Sequence, residues 1–161
     1  MKKLLFSLLA VGFILTSCGG TSPTKFNDAI VKANTNISNV GGTYMNTLSA
    51  ALSSSSYDGI AAVTDSALVK IDAELAIVKA LEVPKGGESY KDAAVKTYES
   101  LRAFVESGKK FSTLTKDSSV EDINNVSAEY EAKMKVYTDS FDELTKAQVA
   151  YAEEAGYKIE N

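Results

Sequence analysis

From Lys25 onward the apolar residues of this chain recur at steps of three and four, the spacing of one face of an α-helix. Phe26, Ile30, Ala33, Ile37, Val40, Tyr44, Leu48 and Ala51 trace a first predicted helix over about residues 24–54. Gly41 and Gly42 fall inside it, at a cost of about 1 kcal/mol each relative to alanine. The stripe keeps its phase across them, which favours a continuous or kinked helix over a break. The Ser53–Ser56 run then offers an N-cap to a second helix over about residues 57–82, whose stripe is Ile60, Val63, Ala67, Ile71, Leu75, Val78 and Leu81.

Val83-Pro84-Lys85-Gly86-Gly87 stops that helix, because proline disfavours helix at the residue before it and glycines permit a tight reversal. A third helix, over about residues 88–114, carries Tyr90, Ala94, Tyr98, Leu101, Val105 and Leu114, with Phe104 and Phe111 widening the apolar face. Ser118 with Glu121 matches a capping box and opens a fourth helix over about residues 119–155. Its pattern is the most regular in the chain: Ile123, Ser127, Tyr130, Met134, Tyr137, Phe141, Leu144, Gln148 and Tyr151 alternate by fours and threes, as in a coiled-coil seam. Gly156 is placed as a left-handed cap, with Tyr157 folding back and Ile159 docking beside it.

Four long amphipathic segments with short connections, and no sustained strand alternation, predict an all-α fold: an up-down-up-down four-helix bundle spanning residues 25–161. A dimer built from helical hairpins, or an elongated coiled coil, would use the same pattern. The pattern therefore leaves monomer versus dimer open.

Ahead of the helices the pattern changes. Lys2 and Lys3 precede an apolar run from Leu4 to Leu15, interrupted only by Ser7 and Gly12, and Thr16 and Ser17 follow. A basic start, a short apolar run and a small-residue junction make a secretory signal, and the run falls short of the roughly 20 residues a transmembrane helix needs. Leu15-Thr16-Ser17-Cys18 resembles the bacterial lipobox. That resemblance implies cleavage before Cys18, leaving residues 1–17 as signal peptide and a diacylglycerol thioether on Cys18 with a further acyl chain on the freed amine. Each buried methylene adds about 0.8 kcal/mol, so two or three chains anchor stably. Gly19-Gly20-Thr21-Ser22-Pro23-Thr24 reads as a short tether completing a lipidated segment, residues 18–24. Gly rather than Asp at residue 19 favours the outer over the inner membrane, by resemblance to enteric sorting rules, and the lack of an acidic cluster favours the periplasmic face over the cell surface.

Composition narrows the chemistry. The chain has 161 residues, 45% of them hydrophobic and 24% charged, which is a globular composition. Loss of Lys2 and Lys3 with the signal would leave 15 basic against 21 acidic residues, taking the formal charge from −4 to −6 and arguing against nucleic acid. Cys18 is the one cysteine and histidine is absent, so intrachain disulfides, histidine metal sites and His-activated nucleophiles are all ruled out. Met45 and Met134 could in principle ligate haem, but methionine at core spacing reads as packing. The pairs Glu121-Asp122, Asp142-Glu143 and Glu153-Glu154 diverge around a helix and read as solvated faces rather than calcium or acid/base sites. No cofactor beyond the acyl chains, no metal and no enzymatic activity is expected.

Tyrosine is the compositional oddity, with 8 of them and no tryptophan. Tyr44, Tyr98, Tyr130 and Tyr137 lie on inward stripes and could line a polar-tipped ligand cavity between helices; the alternative places them at the core boundary with their hydroxyls in water. The order of lipobox, Lys25-Phe26-Asn27-Asp28-Ala29-Ile30, Val83-Pro84-Lys85-Gly86-Gly87 and Gly156-Tyr157-Lys158 resembles a family of small, uncharacterised helical bacterial lipoproteins of the cell surface. That resemblance implies a lipid-anchored helical domain and carries over no catalytic or binding residue. The expectation is thus an envelope lipoprotein with an interaction or structural role and a protein partner, a ligand-binding module being the second reading.

Overall fold

A computed structural model of the chain describes residues 21–156. The signal segment, Cys18 and the start of the tether lie outside the described residues, as do Tyr157 and Ile159.

Every regular element among the described residues is helical, so the all-α expectation holds. The helices are α1 (Pro23–Ser53), α2 (Ile60–Ala80), α3 (Glu88–Gly108) and α4 (Val120–Ala155), with a short 3-10 helix, Lys109–Thr113, continuing α3. α1 begins where Ser22 accepts a hydrogen bond from the Lys25 amide and proline fills the first turn, a position where a missing N–H costs nothing. It runs unbroken through Gly41 and Gly42. Gly41 is buried and faces Leu101 of α3, where a Cβ would meet ordinary van der Waals contact, whereas Gly42 is exposed.

Two boundary expectations are corrected. The serine run does not cap α2; it terminates α1, since the Ser53 and Ser54 hydroxyls donate back to the Ser49 and Ala50 carbonyls and Ser55 turns left-handed at φ 51°. α2 therefore starts later than expected, at Ile60 behind the left-handed Gly59. The capping box of α4 is Ser119 with Asp122, one residue on from Ser118 and Glu121. Ser118 is otherwise engaged, accepting from the Thr115 amide at 2.8 Å to close the preceding loop. At the far end Gly156 is left-handed at φ 75° and its N–H returns to the Ala152 and Glu153 carbonyls, as the glycine suggested.

Side-chain pairs fix the helix directions. Tyr44 with Thr64 and Asn36 with Glu74 set α1 against α2; Lys79 with Glu99 and Asp72 with Arg102 set α2 against α3; Thr97 with Ser140 and, in the 3-10 continuation of α3, Lys110 with Glu129 set α3 against α4. In each pair the numbers rise along one helix as they fall along the other, so consecutive helices are antiparallel and form a helical bundle. α3 takes the centre, packing closely on α2 and α4 and also approaching α1. α1 and α4 do not run in comparable proximity; their hydrogen bonds and ring contacts gather at Pro23–Asn27 and Gln148–Tyr151.

The coiled-coil-like stripe of α4 is buried unevenly along its length. Its C-terminal part buries Ser140, Leu144, Gln148, Tyr151 and Ala152, but no residue from Val120 to Asp139 is fully buried, and Ile123 is 37% exposed. With α1 held off, that stretch has α3 and the 3-10 helix to lean on and no second wall. The central core is otherwise the predicted one, with Phe26, Ile30, Ile37, Ile71, Val78, Leu101 and Phe104 fully enclosed.

Candidate functional site

The four tyrosines singled out from the sequence converge on the α1–α3–α4 interior and meet side chains there. Tyr98 is fully buried on α3 and donates to Asn34 Oδ1 at 2.6 Å, with the Ile30 carbonyl 3.3 Å away. Tyr44 on α1 donates to the Val105 carbonyl at 3.1 Å, and the Thr64 hydroxyl lies 3.3 Å from its oxygen. Gly108 is the reason the Tyr44 hydroxyl fits: a Cβ at that position would land on the phenol oxygen. Tyr130 and Tyr137, both half-buried on α4, pack on Phe104 with ring centroids 4.6 and 6.2 Å away. Tyr130 also sets its edge against Phe111 at 5.4 Å.

Burial pushes all four phenols above the ordinary tyrosine range, and Tyr98 is raised further by the nearby Glu74 and Tyr137. They stay protonated at neutral pH, and the Tyr44 and Tyr98 hydroxyls act as donors in structural hydrogen bonds. Around Phe104 the rings of Tyr130 and Tyr137 pack against α3.

A second polar group closes the end of the bundle where the chain enters. Asn27 is 2% exposed and its Oδ1 accepts from Gln148 Nε2 at 3.1 Å, with the Tyr90 hydroxyl at 3.4 Å. Around it Phe26 packs edge-on to Tyr90 and Tyr151, and those two tyrosines stack at 5.6 Å. Burial and the neighbouring Glu154 and Glu88 push the Tyr151 phenol up to about 12. One amide thus ties α1, α3 and α4 together. The sequence reading placed Gln148 on the seam but passed over Asn27. Its position three residues before Ile30, on the same helical face, was the available signal: a polar residue in phase with a core stripe needs a partner.

The same end is braced by polar contacts. The Lys91 ammonium donates to the Lys79 and Leu81 carbonyls at 2.7 Å each, satisfying groups that the end of α2 leaves without helical partners. Gly86 is left-handed at φ 81° and lies against the Glu154 carboxylate, so the α2–α3 reversal touches the end of α4.

A concavity lies elsewhere, between α1 and α2. It is a shallow groove of about 400 Å³ whose floor is Val40, Tyr44, Val63 and Ala67 and whose rim includes Asn39, Thr43, Ser66 and Lys70. It continues past Val63 into a smaller hollow beside Ala51 and Gly59. Tyr44 borders it, whereas Tyr98, Tyr130 and Tyr137 do not. Met45 is 42% exposed on α1 and Met134 is half-buried on α4. Among the described residues no group of three or more His, Cys, Asp or Glu side chains converges as a metal site would require, and no helix is long and apolar enough to cross a membrane.

No protein-family model, curated protein or solved structure matches the chain. The resemblance to small helical lipoproteins therefore stands on the motifs quoted for it.

Proposed function

We propose that this chain is a bacterial envelope lipoprotein, exported by residues 1–17, acylated on Cys18, and serving through its helical bundle as a non-enzymatic interaction or structural module. The observation that carries the reading is Leu15-Thr16-Ser17-Cys18, set behind Lys2-Lys3 and the Leu4–Leu15 apolar run. The position of the helical domain supports it. Ser22 already caps α1, so three residues separate Cys18 from the first capped turn. A four-residue step spans at most about 14 Å, which holds the entry end of the bundle close to the lipid surface.

On this reading the end closed by Phe26, Asn27, Tyr90, Gln148 and Tyr151 faces the membrane, and the end formed by the α1–α2 connection and the start of α4 points away. Gly19 favours the outer membrane, and the periplasmic face is the preferred side. The bundle's role is to present its surfaces to a partner in the envelope.

The test is Cys18→Ala. The variant loses labelling by a fatty-acid probe and moves from the membrane to the soluble fraction. Labelling equal to that of the parent chain would overturn the proposal.

A further inference from the structure

The distribution of charge around the bundle is uneven in a way its net charge does not reveal. No Asp, Glu, Lys or Arg occurs between Lys32 and Asp58, a stretch that covers the last two-thirds of α1. Among the described residues the seven ion pairs all lie on α2, α3, α4 and the 3-10 helix, and none involves α1. The solvent-facing line of α1 is instead Thr35, Asn39, Gly42, Asn46, Ser49 and Ser53, all exposed. The adjoining start of α2 carries one charge before Lys70, Asp65, and Lys109 engages it at 2.7 Å. The α1–α2 groove opens beside this uncharged line of α1, with Lys70 on its α2 rim and Asp58 at the far end of the hollow it continues into.

We infer that the outer face of the α1–α2 hairpin, uncharged along α1, carrying opposite charges at Asp65 and Lys70 along the start of α2, and centred on the groove between Asn39, Thr43 and Ser66, seats a second copy of this chain. Three physical points select that occupant. A two-fold interface sets a surface against itself, so any face of net charge meets like charge; in a chain of formal charge −4, this face escapes that repulsion. Depletion of charge is also what distinguishes the buried centre of protein interfaces from ordinary surface.

The second point is desolvation. Burying a hydroxyl that has no partner is costly, but here Thr35, Thr47, Ser53 and Ser66 already donate to carbonyls four residues back at 2.8–3.0 Å. They present carbon to an incoming surface, while the Asn39 and Asn46 amides remain to bond across it. The third point is size. Ala33 to Ser53 extends about 32 Å and two helices are about 20 Å across, a footprint of about 640 Å² per copy. Two such footprints reach the lower end of the range for stable protein interfaces, about 1,200–2,000 Å² in total.

Sedimentation velocity of the full chain in mild detergent, over roughly a hundredfold range of concentration, reads the equilibrium directly. The expected result is a concentration-dependent dimer whose dissociation constant rises at least about tenfold in the double variant Asn39→Lys/Asn46→Lys. Both positions are exposed, so circular dichroism of the variant should match the parent. Mixing that chain with Asn39→Glu/Asn46→Glu restores the dimer as a heterodimer, whichever way the two-fold axis runs, an outcome an unfolded variant could not give. A parent chain that stays monomeric throughout overturns the inference. So does a Lys variant that dimerises as tightly as the parent, or a Lys/Glu mixture that fails to pair.

Discussion

At the end of the bundle where α1 begins, Phe26, Tyr90 and Tyr151 interlock and the Asn27–Gln148 bond lies beneath them, all of it fully enclosed. At the other end α4 enters with Val120 73% exposed and Ile123 37% exposed, and its first closed position is Ser140. The same four helices build both ends, so the difference lies in neighbours and not in helix quality. α4 carries a strict apolar period and a double-sided capping box at its open end, and still is not sealed there. Period decides which face of a helix turns inward; a second wall decides how completely that face leaves water. α1 supplies that wall at Phe26 and Asn27 and withdraws it further along.

The sharpest way to break this comparison is to truncate one large side chain at each end and compare cooperative unfolding. Phe26→Ala removes an enclosed ring and is expected to cost about 3–5 kcal/mol, whereas Met134→Ala, on the half-open part of α4, should cost about 1 kcal/mol or less. Equal losses measured by denaturant titration would mean the two ends are equally packed.

Smaller effects come from the two glycines that the helices use differently. Gly108→Ala forces a methyl onto the Tyr44 hydroxyl and is expected to destabilise by about 1–3 kcal/mol. Gly42→Ala meets nothing within 4 Å and should stabilise dilute protein by about 0.5–1 kcal/mol through helix propensity alone. Melting temperatures moving in opposite directions would confirm that only one glycine is needed for close packing.

The smallest expected effect lies at the cap. Ser119→Ala removes the oxygen that accepts the Asp122 amide and should cost about 1 kcal/mol. Because the first half of α4 is the less sealed, hydrogen exchange should show the loss as faster opening from Val120 to Asp139, with protection from Ser140 onward unchanged. Exchange accelerated along the whole helix would instead mean that α4 opens as one unit.

These contrasts also explain what was legible in the sequence. The helices and most of the core were, because stripes such as Phe26–Ile30–Ala33–Ile37 and Tyr90–Ala94–Tyr98–Leu101 can be hidden only against other helices. The exposure of Ile123 was not, because it depends on where α1 lies relative to α4, and no local pattern encodes that distance. Ser118 and Ser119 looked equivalent as caps, and the choice fell to a turn hydrogen bond at Thr115 that pattern does not reveal. Of the candidate site residues, Tyr44 and Tyr98 were correctly placed inward, but their partners Val105 and Asn34 follow from helix register. Asn27 was missed because its partner, Gln148, stands at the opposite end of the sequence.

All of this bears on function through one atom that precedes the bundle. If Cys18 is the anchor, the tightly closed end is the one held at the membrane. The most direct measurement is the intact mass of the protein extracted from cell membranes, with fragmentation of its N-terminal peptide. The account predicts a chain that starts at Cys18 and carries a diacylglycerol thioether with an acyl chain on its amine. A chain that still begins at Met1, or an unmodified thiol at Cys18, would contradict it.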